Sequence, residues 1–197
     1  MEKNPTEVLH DFLAGNKRFV AGEQTTYDLR EEVKKNAAEQ HPDAVILSCI
    51  DSRVPVEIVF DKCIGDIFSI RIAGNVVNDD ILGSMEFACK AKGSKLLMVL
   101  GHTNCGAVVG ACDPNTNLGH LNGLVTKIHP AVKEYGDGAL ETRYDEVGKI
   151  NVRMGVEQIR ANSPILKELE DAGAIKIVGA NYDLKTGAVE ILEQSPA

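Results

Sequence analysis

The sequence contains no tryptophan, few other aromatic residues and no long hydrophobic run. Aromatic side chains make up 5% of its 197 residues. No stretch approaches the ~18–20 consecutive apolar residues of a membrane-spanning helix, so we predict no membrane partner. The first residues, MEKNP, lack the apolar core of a secretory signal, which favours a cytoplasmic protein. No internal repeat and no low-complexity linker divides the chain.

Basic residues are scarcer than acidic ones. Lysine and arginine total 21, and aspartate and glutamate total 29, so the formal net charge is −8. An acidic chain is a poor match for nucleic acid, and we expect no nucleic-acid partner. The hydrophobic share of 44% and the charged share of 25% are typical of a globular protein. A chain of this length can bury a core without disulfides, and we expect one domain.

Five cysteines are an odd number for a protein held together by disulfides. They are dispersed along the chain, which favours a reducing compartment. The thiols are then metal ligands, nucleophiles or ordinary core residues. Their neighbours in the sequence decide between these roles.

Four short apolar runs predict the strands of one sheet. Helical patterns lie between them, which is typical of parallel strands buried on both faces. Near the end, a turn at 182–187 leads into 188–192 and predicts an antiparallel hairpin. We therefore predict an α/β fold: a mostly parallel central sheet with an antiparallel edge strand, flanked by helices. The four runs are 44–49, 67–72, 95–100 and 174–180.

Helices are predicted before and between these strands. Asn4 and Pro5 are typical of a helix start, and an apolar stripe follows from Val8 to Val20. We divide the single domain, 1–197, into a helical arm at 1–40 and an α/β core at 41–197. The other predicted helices cover 29–38, 79–91, 105–111, 118–134 and 141–171, the last with a break near Pro164.

Unusual residues follow two of the predicted strands. The segment CIDSR follows the first strand at 49–53, and GHTNC follows the third at 101–105. Because ligands of open α/β sheets bind beyond the carboxyl ends of the strands, we expect these two segments to meet there. Two cysteines and one histidine suit zinc and leave a fourth position for water or substrate.

Each of these features also has a simpler interpretation. Cys49 alone is typical of a small buried core residue. Asp51 with Arg53 could be a helix cap and a surface ion pair, although a guanidinium would also keep the carboxylate ionised and oriented. A lone His-x-x-Cys is seldom a metal site, although a helix N-terminus at Cys105 would favour its thiolate. The combination at two strand ends favours a functional site.

The segments CIDSRVP (49–55), RIAGN (71–75) and GHTNCG (101–106) together closely resemble the β-class carbonic anhydrases. The resemblance runs in register from about residue 5 to residue 192. It implies zinc-dependent reversible hydration of carbon dioxide to bicarbonate and a proton, by attack of zinc-bound hydroxide. It also implies a homo-oligomer, either a dimer or a tetramer, in which the helical arm wraps the partner.

The same resemblance assigns roles to five residues. Cys49, His102 and Cys105 are implied to bind Zn²⁺, one ion per chain. Asp51 and Arg53 are implied to be the catalytic pair, and Asp51 is also implied to act as a fourth ligand in a closed state.

The resemblance further implies a substrate pocket. Gln40 matches a glutamine that hydrogen-bonds substrate, and the simpler interpretation is a surface residue that ends a helix. Phe68 and Phe87 match apolar pocket residues that the partner subunit contributes. Ala73 stands where a bulkier valine is often found, so we expect a slightly wider pocket. Gly74 is expected to form a tight turn beside the site, with backbone N–H groups available to an oxyanion.

One branch of the family has a second, inhibitory bicarbonate site built from tryptophan, arginine and tyrosine. Arg71 and Tyr182 stand at matching positions, but Ile46 occupies the tryptophan position. The resemblance therefore does not extend to regulation through that site.

Two other functions remain open on the sequence alone. Carbonyl sulfide and carbon disulfide are linear electrophiles like carbon dioxide, so the same zinc site could hydrolyse them. A non-catalytic zinc domain or thiol-regulatory domain is the second alternative. Asp51 and Arg53 argue against it, because a structural zinc site needs a fourth fixed ligand and no catalytic pair.

Overall fold

A computed structural model describes residues 3–117 and 119–194. Within them, five strands form one sheet in the order β2-β1-β3-β4-β5. The pairs among β1 to β4 are parallel, and β5 is antiparallel to β4 at one edge. This architecture confirms the predicted fold class. The strands are β1 (Ala44–Ser48), β2 (Ile67–Arg71), β3 (Leu96–His102), β4 (Lys176–Tyr182) and β5 (Val189–Gln194).

The two central strands are buried along their whole length. Every residue of β1 and β3 is buried, which is why their sequences read as continuous apolar runs. Strand β2 lies at the sheet edge and is only partly buried. The register pairs Ser48 with Leu100, so the residues that follow β1 lie beside the end of β3.

Helices cover both faces of the sheet. They are α1 (Pro5–Ala21), α2 (Leu29–Lys35), α3 (Val56–Val59), α4 (Asp79–Glu86), α5 (Gly106–Cys112), α6 (Leu121–Val125), α7 (His129–Tyr135), α8 (Arg143–Asn162) and α9 (Pro164–Asp171). A 3₁₀ turn covers Ala73–Asn75, and α4 continues into a π-helical turn at Phe87–Ala91. Among the described residues, no helix is long and apolar enough to cross a membrane.

The N-terminal arm begins as predicted. The Asn4 side chain accepts hydrogen bonds from the backbone N–H groups of Thr6 and Glu7, and Glu7 accepts one from the Asn4 N–H. Val8 and Phe12 of α1 are fully buried against this chain's own sheet. The division into a 1–40 arm and a 41–197 core stays a prediction.

Two predicted helices are wrong in their extent. The segment 118–134 contains two short helices, α6 and α7, and Leu118 lies outside the described residues. Pro130 explains the break, because it has no N–H to donate to the carbonyl of Thr126 and suits only the first turn of a helix. Helix α2 is also shorter than the predicted 29–38. The break near Pro164 is confirmed, and Ser163 caps α9 there.

Candidate metal centre and catalytic residues

Three potential metal ligands converge at the carboxyl edge of the sheet. Cys49 follows β1, His102 ends β3, and Cys105 immediately precedes α5. Their ligand atoms all lie within 4.8 Å of one another. The three residues are 4%, 2% and 3% exposed respectively. The two strand ends therefore meet, as the sequence pattern predicts, and within the described residues this is the one group of its kind.

One ring nitrogen of His102 lacks a hydrogen-bond partner. Its Nδ1 lies 2.9 Å from the Thr103 carbonyl oxygen, to which it donates, so Nε2 carries the lone pair. Nε2 is buried and has no partner among the described residues. Buried polar atoms are normally satisfied, and a ligating histidine usually donates its other nitrogen to a carbonyl. The orientation of His102 therefore fits a metal ligand.

The two sulfur atoms are spaced for a shared ion. Cys49 Sγ and Cys105 Sγ lie 3.9 Å apart, and both cysteines are free. Two Zn–S bonds of about 2.3 Å at a tetrahedral angle would place their sulfurs about 3.8 Å apart. A disulfide would need about 2.05 Å. The donor set and its spacing therefore fit zinc.

The two thiols differ in acidity. A hydrogen bond from Cys105 lowers the pKa of the Cys49 thiol, against the opposing effect of burial. The same hydrogen bond, together with burial, raises the pKa of Cys105. The hydrogen bond between the two sulfurs therefore favours a single negative charge on the pair. Cys105 lies at the start of α5, as expected.

Asp51 and Arg53 form a close ion pair beside these ligands. The guanidinium donates from Nε to Oδ1 at 2.9 Å and from Nη2 to Oδ2 at 2.6 Å. The backbone N–H of Arg53 also donates to Oδ1, at 2.9 Å. These hydrogen bonds hold the pKa of Asp51 well below its ordinary value. Asp51 Oδ2 lies 3.9 Å from His102 Nε2, so an ionised, oriented carboxylate borders the ligand cluster.

Arg71 holds the loop that carries Cys49 and Asp51. From the end of β2, its Nε donates to the Cys49 carbonyl at 3.0 Å and its Nη2 to the Asp51 carbonyl at 2.6 Å. In the sequence, Arg71 begins the RIAGN segment and stands at one position of the inhibitory bicarbonate site. Ile46 and Tyr182, the other two positions of that site, are both buried. The strand-end position of Arg71 was the one available signal for its contact with the loop.

The second loop is held by Asp145 of α8. Its Oδ1 accepts a hydrogen bond at 2.8 Å from the backbone N–H of Asn104, which has a positive φ of 53°. Asn104 lies between His102 and Cys105, so this bond helps to shape the ligand loop. Sequence reasoning missed Asp145, because 41 residues separate the two partners.

The predicted tight turn lies against the cluster. Gly74 has a φ of 68°, and its N–H donates to Cys49 Sγ at 3.4 Å. Ala73 is partly buried and packs in the same apolar cluster as Cys49 and Cys105. Asn151 of α8 donates to the Gly74 carbonyl at 3.0 Å, a contact that sequence reasoning also missed.

Three expected pocket residues lie elsewhere in this chain. Phe68 pairs in register with Val45, four positions before Cys49, which corresponds to about 13 Å along a strand. Phe68 and Phe87 contact each other edge to face, with ring centroids 6.1 Å apart, and Phe87 is 49% exposed. Gln40 is exposed. One chain therefore does not gather these residues around the ligand cluster.

Known proteins are similar to this chain over most of its length. A family model described as "Carbonic anhydrase" matches residues 44–189. The chain is 36% identical to carbonic anhydrase 2 of Mycobacterium tuberculosis, over 93% of this chain and 91% of the relative. It is 35% identical to a carbonic anhydrase of Mycolicibacterium smegmatis, over 95% and 93% of the two chains.

Solved structures share the fold. The β-carbonic anhydrase CafA of Aspergillus fumigatus superposes with a TM-score of 0.76 at 26% identity, covering 94% of this chain and 90% of that one. A tetrameric β-carbonic anhydrase from Sordaria macrospora superposes with a TM-score of 0.77 at 20% identity, covering 95% and 98%. At that lower identity the second likeness concerns the fold alone.

Proposed function

This chain belongs to the β-carbonic anhydrase family of enzymes, and we propose that it catalyses the reversible hydration of carbon dioxide to bicarbonate and a proton. The observation that carries the proposal is the unpartnered Nε2 of His102, buried between two cysteines and bordered by an ion-paired aspartate. A structural zinc site is closed by four fixed ligands and does not require a carboxylate beside them. A hydration site needs an acceptor beside its reacting water.

Cys49 Sγ, His102 Nε2 and Cys105 Sγ would hold one zinc ion per chain. Zinc bound there supplies an acidic water, because the metal can lower the pKa of its water from about 15.7 towards 7. Three protein ligands leave one position for that water, which is the arrangement of catalytic rather than structural sites.

Asp51 and Arg53 would orient the reacting water. Both carboxylate oxygens of Asp51 accept hydrogen bonds from Arg53, which keeps the group ionised. An ionised carboxylate has no O–H, so it would accept a hydrogen bond from the water and would not donate one. A hydrogen bond accepted from the water by Asp51 would direct an oxygen lone pair away from Asp51 and towards the substrate. Because Arg53 binds both carboxylate oxygens of Asp51, a fourth-ligand role for Asp51 would require this ion pair to open.

A second copy of the chain would complete the substrate pocket. Ala73 and Gly74 lie on the Cys49 side of the centre, whereas Gln40, Phe68 and Phe87 lie away from it in the same chain. We propose that these three residues act in the site of a partner subunit, within a dimer or tetramer. The half-exposed Phe87 ring and the partly buried edge strand β2 support a partner on that side.

The test is stopped-flow measurement of carbon dioxide hydration by the full chain, with zinc quantified in the same sample. We expect about one zinc per chain and a hydration rate that a zinc chelator abolishes and added zinc restores. Carbonyl sulfide and carbon disulfide serve as comparison substrates. A zinc-loaded protein that hydrates carbon dioxide no faster than buffer would overturn the proposal, and faster turnover of either sulfur compound would reassign the substrate.

A further inference from the structure

We propose that Asn151, on helix α8, is a positioning residue for the metal centre. Through Gly74 it directs a backbone N–H at the sulfur of Cys49. This role rests on the proposed function, because it requires Cys49 to bind a metal. Helix α8 contributes none of the three candidate ligands. Any effect of Asn151 on the metal centre therefore passes through the turn at Ala73–Asn75.

The turn has a conformation that needs support. The Asn75 N–H donates to the Ile72 carbonyl at 2.9 Å, and Gly74 between them has φ 68° and ψ 15°. These values match the third position of a type II turn, where glycine is favoured. Because glycine adopts positive and negative φ about equally, its own preferences do not select this form. Contacts from outside the turn must select it.

Apolar neighbours and one amide provide these contacts. A Cβ atom on Gly74 would lie 2.7 Å from Ile128 Cδ1 and 3.1 Å from Ala107 Cβ, so one side of the glycine is closed by packing. On the other side, Asn151 Nδ2 donates to the Gly74 carbonyl at 3.0 Å. The peptide that joins Gly74 to Asn75 is therefore fixed at both its carbonyl and its N–H.

Asn151 is a polar residue on the buried face of α8. It is 7% exposed, and the next residue, Val152, is fully buried in the core between α8 and the sheet. A buried amide is costly unless it is hydrogen-bonded, and an apolar side chain would suit this surface better. The bond to Gly74 gives a physical reason for an amide here.

The consequence for Cys49 follows from the donor that faces its sulfur. The Gly74 N–H lies 3.4 Å from Cys49 Sγ and donates a hydrogen bond to the sulfur that is proposed to bind the metal. Hydrogen bonds to metal ligands tune both affinity and electron donation to the metal, and their loss typically weakens binding about 10–100-fold. Asn151 therefore supports metal binding without touching the metal.

The experiment compares Asn151→Leu with a matched control, Asn16→Leu. Asn16 is also a buried asparagine that donates to backbone carbonyls, those of Val59 and Gly187, but it lies on α1 in the core on the other face of the sheet. Zinc affinity is measured by competition with a chromophoric chelator. The sulfur-to-cobalt charge-transfer band is measured after cobalt substitution.

We expect Asn151→Leu to bind zinc about ten-fold more weakly or worse, and its charge-transfer band to move to longer wavelength. Asn16→Leu should lower the melting temperature with unchanged zinc affinity and spectrum. Asn151→Ala, which removes the donor without adding bulk, should repeat the Asn151→Leu result and replaces it if the leucine variant fails to fold. Wild-type affinity and spectrum in a folded Asn151 variant would overturn this inference alone. A wild-type protein that takes up no zinc would overturn the proposed function itself.

Discussion

The two loops at the carboxyl edge of the sheet are held in opposite ways. In the loop 49–53, a cation donates to carbonyl oxygens: Arg71 binds those of Cys49 and Asp51. In the loop 102–105, an anion accepts from an amide: Asp145 binds the N–H of Asn104. The first loop is thus held through its carbonyl groups and the second through an amide N–H group.

The loops also differ in the number of their anchors. Besides the Asp145 contact, Thr103 donates its N–H to the Tyr182 carbonyl and accepts from the Leu184 N–H, both at 3.0 Å. The loop with two potential ligands is therefore tied to β4 and to the turn that follows it. The loop that carries Asp51 is held by Arg71 and by the Gly74 N–H at Cys49 Sγ. We expect metal retention and turnover to be separable by substitutions in the two loops.

Removal of a proposed metal ligand should lower zinc affinity whichever of the two loops carries it. Cys49→Ala in the first loop and His102→Ala in the second should each lose more than 100-fold in zinc affinity, because loss of a ligand exceeds the effect of losing its supporting contacts. Zinc content after dialysis measures this directly, with Cys89→Ala as a control at a buried thiol whose pKa is raised to about 12 by burial. Normal zinc content in either ligand variant would contradict the assignment.

Substitution of the proposed catalytic pair should separate zinc retention from hydration activity most clearly. We expect Asp51→Ala and Arg53→Ala to keep about one zinc per chain, while hydration falls about 100-fold or more through loss of the oriented acceptor. Stopped-flow rates and zinc content of the same samples measure the outcome. Full hydration activity in either variant would remove the proposed roles.

Substitution of the anchors tests the comparison itself. Arg71→Met removes two hydrogen bonds from a charged donor and should lower hydration about ten-fold with zinc retained, because Asp51 loses its fixed position. Asp145→Asn keeps an acceptor for the Asn104 N–H and should change hydration less than about three-fold. The measurements are the hydration rate and zinc affinity of both variants. Equal losses of hydration would show that the loops are not held independently.

Substitution of a carboxylate away from the metal centre should change stability alone, and this is the smallest of the expected effects. Asp61 accepts from Arg18 and from the Thr25 N–H, the same kind of anchor as Asp145. Burial raises the pKa of Asp61, but these hydrogen bonds outweigh it, and the net pKa is lowered. Asp61→Asn should reduce the free energy of unfolding by about 1–3 kcal/mol at neutral pH, with zinc affinity and hydration unchanged.

The pH dependence of that loss has a defined sign. A carboxyl group with a lowered folded-state pKa contributes stability above its unfolded pKa of about 3.9, and this stability disappears as pH falls further towards the folded value. The difference between wild type and Asp61→Asn should therefore be constant from about pH 5 to 8 and shrink below about pH 4. Urea unfolding at each pH measures it, and a difference that grows on acidification would contradict the assignment.

Much of the fold was predictable because local and global signals agree. The fully buried strands β1 and β3 read as apolar runs, and parallel pairing then places Cys49 beside His102. The break between α6 and α7 was missed, although Pro130 signalled it. The four-residue helix α3 is too short to show a helical period.

The contacts that hold the site were not predictable from the sequence. Arg71, Asp145 and Asn151 reach backbone groups 20, 41 and 77 residues away, and no spacing rule connects such partners. Each contact depends on how closely α8 or β2 packs beside the centre. Residue types at strand ends identify the ligands, whereas tertiary packing selects the groups that orient them.

Arg71 is the last residue of β2, the outermost parallel strand, so its position depends on the position of the sheet edge. One side of β2 pairs with β1, and the other lies at the sheet edge. A displacement of that edge would be transmitted through the guanidinium to the carbonyls of Cys49 and Asp51. A single side chain therefore links the edge of the sheet to the backbone of the loop that carries Cys49 and Asp51.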